Sequence, residues 1–327
     1  MPLILAVIAA GYGLTLLTFY PGIMTYDARY VHAYALSGDF GDWQSPVMTA
    51  LWAAIDPIAP GAASMFLLIA TLYWLGFAIL ALGLARRSFT AALVMVLMAL
   101  TPPAFVFVGI IWRDVLFAAV WILAAAMAWS IAERRDVLRY GVQVLAMLML
   151  VFGFLLRPNA LFAVPLLAAT IIWPSRFEVR RMLLLYVPAI IACYALIPTV
   201  YYGVFGAKRQ NALHSILVFD LGGITHFTKQ NQFPVTWTAD QEELLISCYQ
   251  PAAWDYYWTT GPCTFVMTRL ENDKIFGSPI LAKAWWGAVV AHPVAYLQHR
   301  LSVMGQFLFG NNPTIWTIDI EHPDRMV

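Results

Sequence analysis

The residues best placed to do chemistry are charges at the ends of apolar runs. Arg113 stands in Trp112-Arg113-Asp114 and Arg157 in Leu156-Arg157-Pro158-Asn159, each at the edge of a long hydrophobic segment. A guanidinium near hydrocarbon is costly unless paired, and its flat fork suits two phosphate oxygens at once. The competing use is snorkelling to lipid headgroups. Asp114 reads as a helix-start carboxylate favoured by the helix dipole. Asp27 follows the first apolar run, in Tyr20-Pro-Gly-Ile-Met-Thr-Tyr-Asp27-Ala-Arg-Tyr-Val-His32. Its carboxylate can stand just above a bilayer, where a lipid-borne phosphate emerges and a second reactant arrives from water. It can equally cap a helix running from Ala28 to Leu36. Asp39 and Asp42 flank Gly41 as turn residues do, and with Asp27 they could bind a divalent cation through oxygen ligands. Further along, His214, Asp220, His226 and Arg300 stand among apolar or small neighbours. His214 and Arg300 are carried as candidate substrate contacts, although most isolated histidines are hydrogen-bonded structural residues.

These residues need a membrane scaffold. Hydrophobic residues make up 61% of the 327 positions and charged ones 11%, more apolar surface than one water-soluble core could hide. A net charge of +1 gives no excess of basic residues for a nucleic-acid partner. The three cysteines lack zinc-site spacing. Cys193 lies in an apolar run, while Cys248 and Cys263 could pair if their region lies outside the cytoplasm.

Seven stretches suggest spans: Leu3 to Tyr20, Ala62 to Ala85, Phe89 to Ile111, Val115 to Ala132, Tyr140 to Leu156, Ala160 to Trp173 and Met182 to Phe205. The sixth is short and contains Pro165, so a re-entrant hairpin is its alternative, and the placement of the basic loops favours a span. The first, without a basic flank or cleavage motif, reads as a retained anchor. Arg86-Arg87, then Arg134, Arg135 and Arg139, then Arg176, Arg180 and Arg181 follow alternate segments, which puts them on the cytoplasmic side. The long loop from Pro21 to Pro60, the turns at Arg113 and Arg157, and everything after Phe205 then lie outside. Pro102 and Pro103 remove consecutive backbone donors, so the third segment breaks there and points to a cavity. The expectation is an all-α polytopic membrane protein with a bundle over residues 1–205 and an extracytoplasmic region over 206–327. In that region Ile280 to Phe309 reads as an interfacial helix pair lining the outer cavity, since Gln298, His299 and Arg300 interrupt its centre. The aromatics from Tyr249 to Trp258 could stack on sugar rings or form an interfacial belt.

No Gly-rich phosphate loop, G-x-S-x-G elbow or H-E-x-x-H helix is present, which argues against nucleotide hydrolysis, serine hydrolysis and zincin chemistry. Four pieces together resemble the GT-C superfamily of membrane glycosyltransferases, the group of protein O-mannosyltransferases and of the enzyme that adds aminoarabinose to lipid A. Tyr20-Pro-Gly followed by Asp27 resembles the acidic motif of the first outer loop. Asp42-Trp-Gln-Ser-Pro46 resembles a stretch that usually reads Asp-x-His-Pro-Pro. Trp112-Arg113-Asp114 resembles the Lys/Arg-Asp turn before the fourth helix, and Leu156-Arg157-Pro-Asn resembles the Arg-Pro-Asn turn before the sixth. The resemblance covers roughly the first two hundred residues. It implies an inverting transfer of a sugar from a polyprenyl-phosphate or diphosphate carrier to a glycan, lipid or protein acceptor, on the outer face of a membrane such as the bacterial inner membrane. Asp27 would be the general base, Arg113 and Arg157 would hold the carrier phosphate, and Asp42 would lie at the site. Ser45 in place of the customary histidine leaves any divalent cation an open question, and no other cofactor is implied. The alternative is a transporter or flippase of lipid-linked sugars. Transporters usually show paired repeats with broken helices in both halves, whereas this chain has one proline break.

Overall fold

The computed structural model describes residues 1–132, 134, 136–174, 178–252, 254–258 and 263–310. Among them the chain is helical, with two isolated bridges and no strand. It divides into two compact units, residues 1–208 and 209–327. The boundary falls slightly later than the composition shift because Lys208 is pinned to the first unit: its N–H donates to the Phe40 carbonyl (2.8 Å), and its ammonium sits 2.7 Å from Asp39.

The first unit holds α1 (Pro2–Phe19), α2 (Tyr26–Ser37), α3 (Pro46–Ile55), α4 (Ala62–Ala85), α5 (Phe89–Ala99), α6 (Pro102–Val108), α7 (Arg113–Ser130), α8 (Val137–Leu156), α9 (Val164–Ile172) and α10 (Val179–Pro198), which runs on as a π-helical turn to Val204. Among the described residues five helices are long and apolar enough to cross a membrane: α1, α4, α7, α8 and α10 with its extension. The pair α5 and α6, bent by 56°, makes a sixth if counted as one span. The bend lies at Leu100 and Thr101, with Pro102 and Pro103 opening α6, so the expected proline break is present.

The expected sixth span, Ala160 to Trp173, is not a helix of spanning length. It forms a 3-10 turn, Pro158–Phe162, and the nine-residue α9, only about 14 Å of helix against a ~30 Å hydrocarbon layer. The turn and helix nonetheless carry the chain back along α8. The Gln143 side-chain amide donates to the Ile171 and Ile172 carbonyls (2.8 and 3.1 Å), level with a point about 20 Å from the Leu156 end of α8.

In the interior, α4 packs on α7, α7 on α8, and both α1 and α5 on α4. Close approach is possible because glycines stand at the crossings. A Cβ on Gly83 would lie 2.3 Å from the Trp129 ring, which sets the C-terminal ends of α4 and α7 side by side. Arg86 and Arg87 therefore leave the bundle at the same end as Arg134 and Arg139. α10 is almost wholly unburied and turns large apolar side chains such as Leu184, Val187 and Ile191 outward, the pattern expected of a helix facing lipid.

The second unit holds α11 (Leu213–Thr228), α12 (Ala239–Ser247), α13 (Thr264–Asn272), α14 (Pro279–Ala291) and α15 (Pro293–Phe309), with a 3-10 turn at Trp254–Tyr257. α11 is central and packs on α12, α14 and α15. Its Gly222 and Gly223 admit the Tyr257 hydroxyl and the His299 ring, which would lie 2.1 and 2.2 Å from an added Cβ. A Thr238/Gln241 capping box starts α12. The expected pairing of Cys248 with Cys263 is present as a disulfide, with Cα atoms 6.1 Å apart. Replacing both by serine should lower the stability of the second unit by about 3 kcal/mol, the loop-closure value for a cross-link spanning fifteen residues, read as an earlier melting transition.

Candidate functional site

Asp27 is the second residue of α2 rather than its cap, because the helix begins at Tyr26 and the cap position belongs to Thr25. The Thr25 hydroxyl makes no cap bond; it accepts the indole N–H of Trp112 at 2.7 Å. Two backbone bonds run beside it: the Ile23 N–H donates to the Gly109 carbonyl (2.9 Å), and the Ile111 N–H to the Ile23 carbonyl (3.0 Å). The chain leaving α1 is thereby stitched to the chain entering α7. Gly22 is required at this seam: its φ is +110°, and a Cβ there would lie 2.7 Å from the Phe66 Cβ.

A second tie brings in the loop of residues 39–45. Arg113 Nη1 donates to the Trp43 carbonyl at 3.0 Å. Ser45 leaves its helix-cap duty unused and donates its hydroxyl to the Leu155 carbonyl at 3.0 Å, where the Tyr201 hydroxyl also donates (2.5 Å). These bonds satisfy a carbonyl in the last turn of α8, which has no partner further along the helix. They also fix the point from which Arg157 departs.

The result is one cavity of about 250 Å³ whose wall includes Asp27, Gln44, Trp112, Arg113, Asp114 and Arg157. Three stretches far apart in sequence thus open onto one space. The charges interact: Arg157, Asp114 and Asp27 all act electrostatically on Arg113, and Arg157 Nη2 lies 2.5 Å from Asp114 Oδ1. Two carboxylates and two guanidiniums leave the cavity balanced, with donors for an anion and a carboxylate acceptor in one place. Sequence reasoning missed Gln44 and Trp112 as wall residues and assigned Asp114 only to the helix start. The adjacency of Asp114 to Arg113 in sequence was the available signal.

Asp42 is not part of this wall. Its Oδ2 accepts from the Tyr202 hydroxyl at 2.8 Å, and its N–H donates to the Lys208 carbonyl, so it closes the loop onto the end of α10. Asp39 pairs with Lys208. Asp27, Asp39 and Asp42 are therefore not gathered around one point, and among the described residues no group of three or more His, Cys, Asp or Glu could hold a metal ion. His32 closes a neighbouring contact instead: its Nε2 lies 2.8 Å from Asp56 Oδ1, and this hydrogen bond holds the Asp56 carboxyl below the usual carboxylate range.

Arg300 and His214 belong to the second unit and are engaged there. Arg300 Nη2 donates to Asp220 Oδ2 at 2.7 Å, while His299 Nε2 lies 3.0 Å from Oδ1 and the Trp285 indole donates to Oδ2 at 2.8 Å. Asp220 is fully buried, and its carboxylate needs these partners. His214 Nδ1 accepts the Gly277 N–H at 3.1 Å, and burial pushes its pKa below the ordinary histidine value. Both are satisfied structural contacts in the fold. Arg300→Ala should therefore cost the second unit about 1.5–3 kcal/mol, the range for a hydrogen bond to a charged group, read as a lower melting temperature. A substrate contact would instead show a weakened ligand at unchanged melting temperature.

No protein-family model, curated protein or solved structure matches this chain.

Proposed function

We propose that the chain is an inverting glycosyltransferase of the membrane, taking a sugar from a polyprenyl-phosphate or diphosphate carrier and passing it to an acceptor hydroxyl on the extracytoplasmic side. The observation that carries this reading is the convergence of Asp27, Arg113 and Arg157 on one small cavity at an end of apolar helices. A volume of about 250 Å³, just under the ~300 Å³ of drug-sized ligand pockets, suits a small group such as one sugar ring.

In this reading the acceptor oxygen attacks the anomeric carbon from the face opposite the phosphate. The carbon–oxygen bond to the carrier breaks, its electron pair leaves with the phosphate, and the hydroxyl proton passes to Asp27. A carboxylate is a weak base at neutral pH, so proton transfer is concerted with formation of the new bond. Arg113, held in place by the Trp43 carbonyl, faces the charge that grows on the leaving phosphate, the kind of preorganised electrostatics that contributes most to such reactions. Two further features support an extracytoplasmic site: Arg86, Arg87, Arg134 and Arg139 sit at the other end of the bundle, and the second unit carries a disulfide.

Asp27→Asn should reduce transfer by about 10²-fold or more while leaving carrier binding intact, since it removes the proton acceptor and keeps the shape. Purified protein with radiolabelled polyprenyl-phosphate sugars and crude envelope acceptors gives the readout; normal turnover by this variant would refute the assignment, and carrier binding without any transfer by the wild type would favour a transporter. Asp114→Asn should free Arg157 from its carboxylate and tighten polyprenyl-phosphate binding several-fold in a detergent titration. Weaker binding would mean that Asp114 instead positions Arg157.

A further inference from the structure

The second unit has a helix built the wrong way round for water. Along α15 the residues turned inside are Ala295 and His299, the latter fully buried. The residues turned outside include Val294, Leu297, Leu301, Met304 and Leu308, each more than half exposed. At about 100° per residue, these five positions fall within an arc of about 80°, opposite Ala295 and His299. Gln298 and Arg300 lie about 40° beyond its two edges. A water-facing amphipathic helix does the reverse, burying its large apolar stripe and exposing its charges.

α14 continues the pattern. It packs on α11 through Leu281 and Ala288 while Trp286 and Val290, one turn apart, stand 61% exposed. The charge of α15 is meanwhile turned inward: Arg300 is bonded to buried Asp220, lies over the Tyr296 ring at 5.3 Å, and takes the Tyr296 hydroxyl as a further acceptor. Two of the three polar residues that interrupt this segment in sequence, His299 and Arg300, thus find their partners within the unit, while Gln298 is exposed.

We infer that α15, with the Trp286 and Val290 edge of α14, docks onto the lipid bilayer, the stripe from Val294 to Leu308 entering the acyl chains with Gln298 and Arg300 at headgroup depth. The occupant is a bilayer for two reasons. The chain enters the second unit within a few residues of Val204, the end of a helix long and apolar enough to span, so the unit is tethered at a membrane surface. An exposed apolar face this large on a tethered unit is what an interfacial helix requires, and the aromatic ring of Trp286 at its margin has the usual place of an interface residue.

Spin labels at single cysteines tell the occupants apart. The full chain in lipid nanodiscs, with the free Cys193 replaced by serine and carrying Leu297→Cys, Leu301→Cys or Met304→Cys, is compared with Glu243→Cys, an exposed position on α12. Collisions with dissolved oxygen should exceed collisions with a water-soluble nickel complex several-fold at the three stripe positions and fall below them at position 243. Strong nickel collisions along the stripe would mean that water covers it. Exclusion of both reagents would mean that protein does, from another chain or a second copy. Either result overturns the proposal.

Discussion

The candidate site depends on one seam, where the chain leaving α1 meets the chain entering α7. A spanning helix fixes only which leaflet its ends reach, since hydrophobic matching tolerates rotation and tilt. What places Asp27 near Arg113 is specific: two backbone bonds around Ile23, and the Trp112 indole on the Thr25 hydroxyl. A helix start with free backbone N–H groups normally claims its cap side chain. Here that side chain is spent on a tertiary bond, and the first turn of α2 is held by α7 instead. Ser45, at the start of α3, is spent the same way on α8. Local capping has been exchanged twice for register between distant segments, at the points where the cavity is built.

The same economy of charge runs through both units. Arg157 has Asp114, Arg113 has a carbonyl and the fields of its acidic neighbours, and Arg300 has Asp220. Each of these arginines occurs in a segment rich in apolar side chains, where an isolated charge would be expensive. The pairs differ in what they leave accessible. Asp220 is fully buried and held on both oxygens, so its network fixes the fold of the second unit. Asp114 is about half exposed, and so readily exchanged for another anion, because a pair open to solvent contributes little net stability.

Much of this was legible in the sequence. Hydropathy located the long helices because a bilayer imposes a length, and Pro102-Pro103 located the break because two donors are missing there. The facing of Asp27, Arg113 and Arg157 toward one end of the bundle followed from counting segments and basic loops. Hydropathy overcounted at Ala160 to Trp173, since composition cannot distinguish a nine-residue helix with a 3-10 lead from a full span; only the Gln143 bonds show how far that segment travels. Arg300 and His214 stood out for the right reason, as polar groups in apolar surroundings, but the partners that explain them lie 80 and 63 residues away and leave no local signal.

Arg300 also shows what composition leaves out for the helix in which it sits. A charge in the middle of an apolar run lowers the apparent fitness of that run for lipid, and a scan along the chain has no means of knowing that the charge is already paired. Once Asp220 is supplied from α11, with Gly223 letting His299 approach, what α15 leaves outward is mainly Val294, Leu297, Leu301, Met304 and Leu308. The cost of burying a charge is then met inside the protein, between two helices that approach closely where α11 carries Gly223. What decides whether such a helix touches lipid is therefore the face it has left over after pairing, not its average composition.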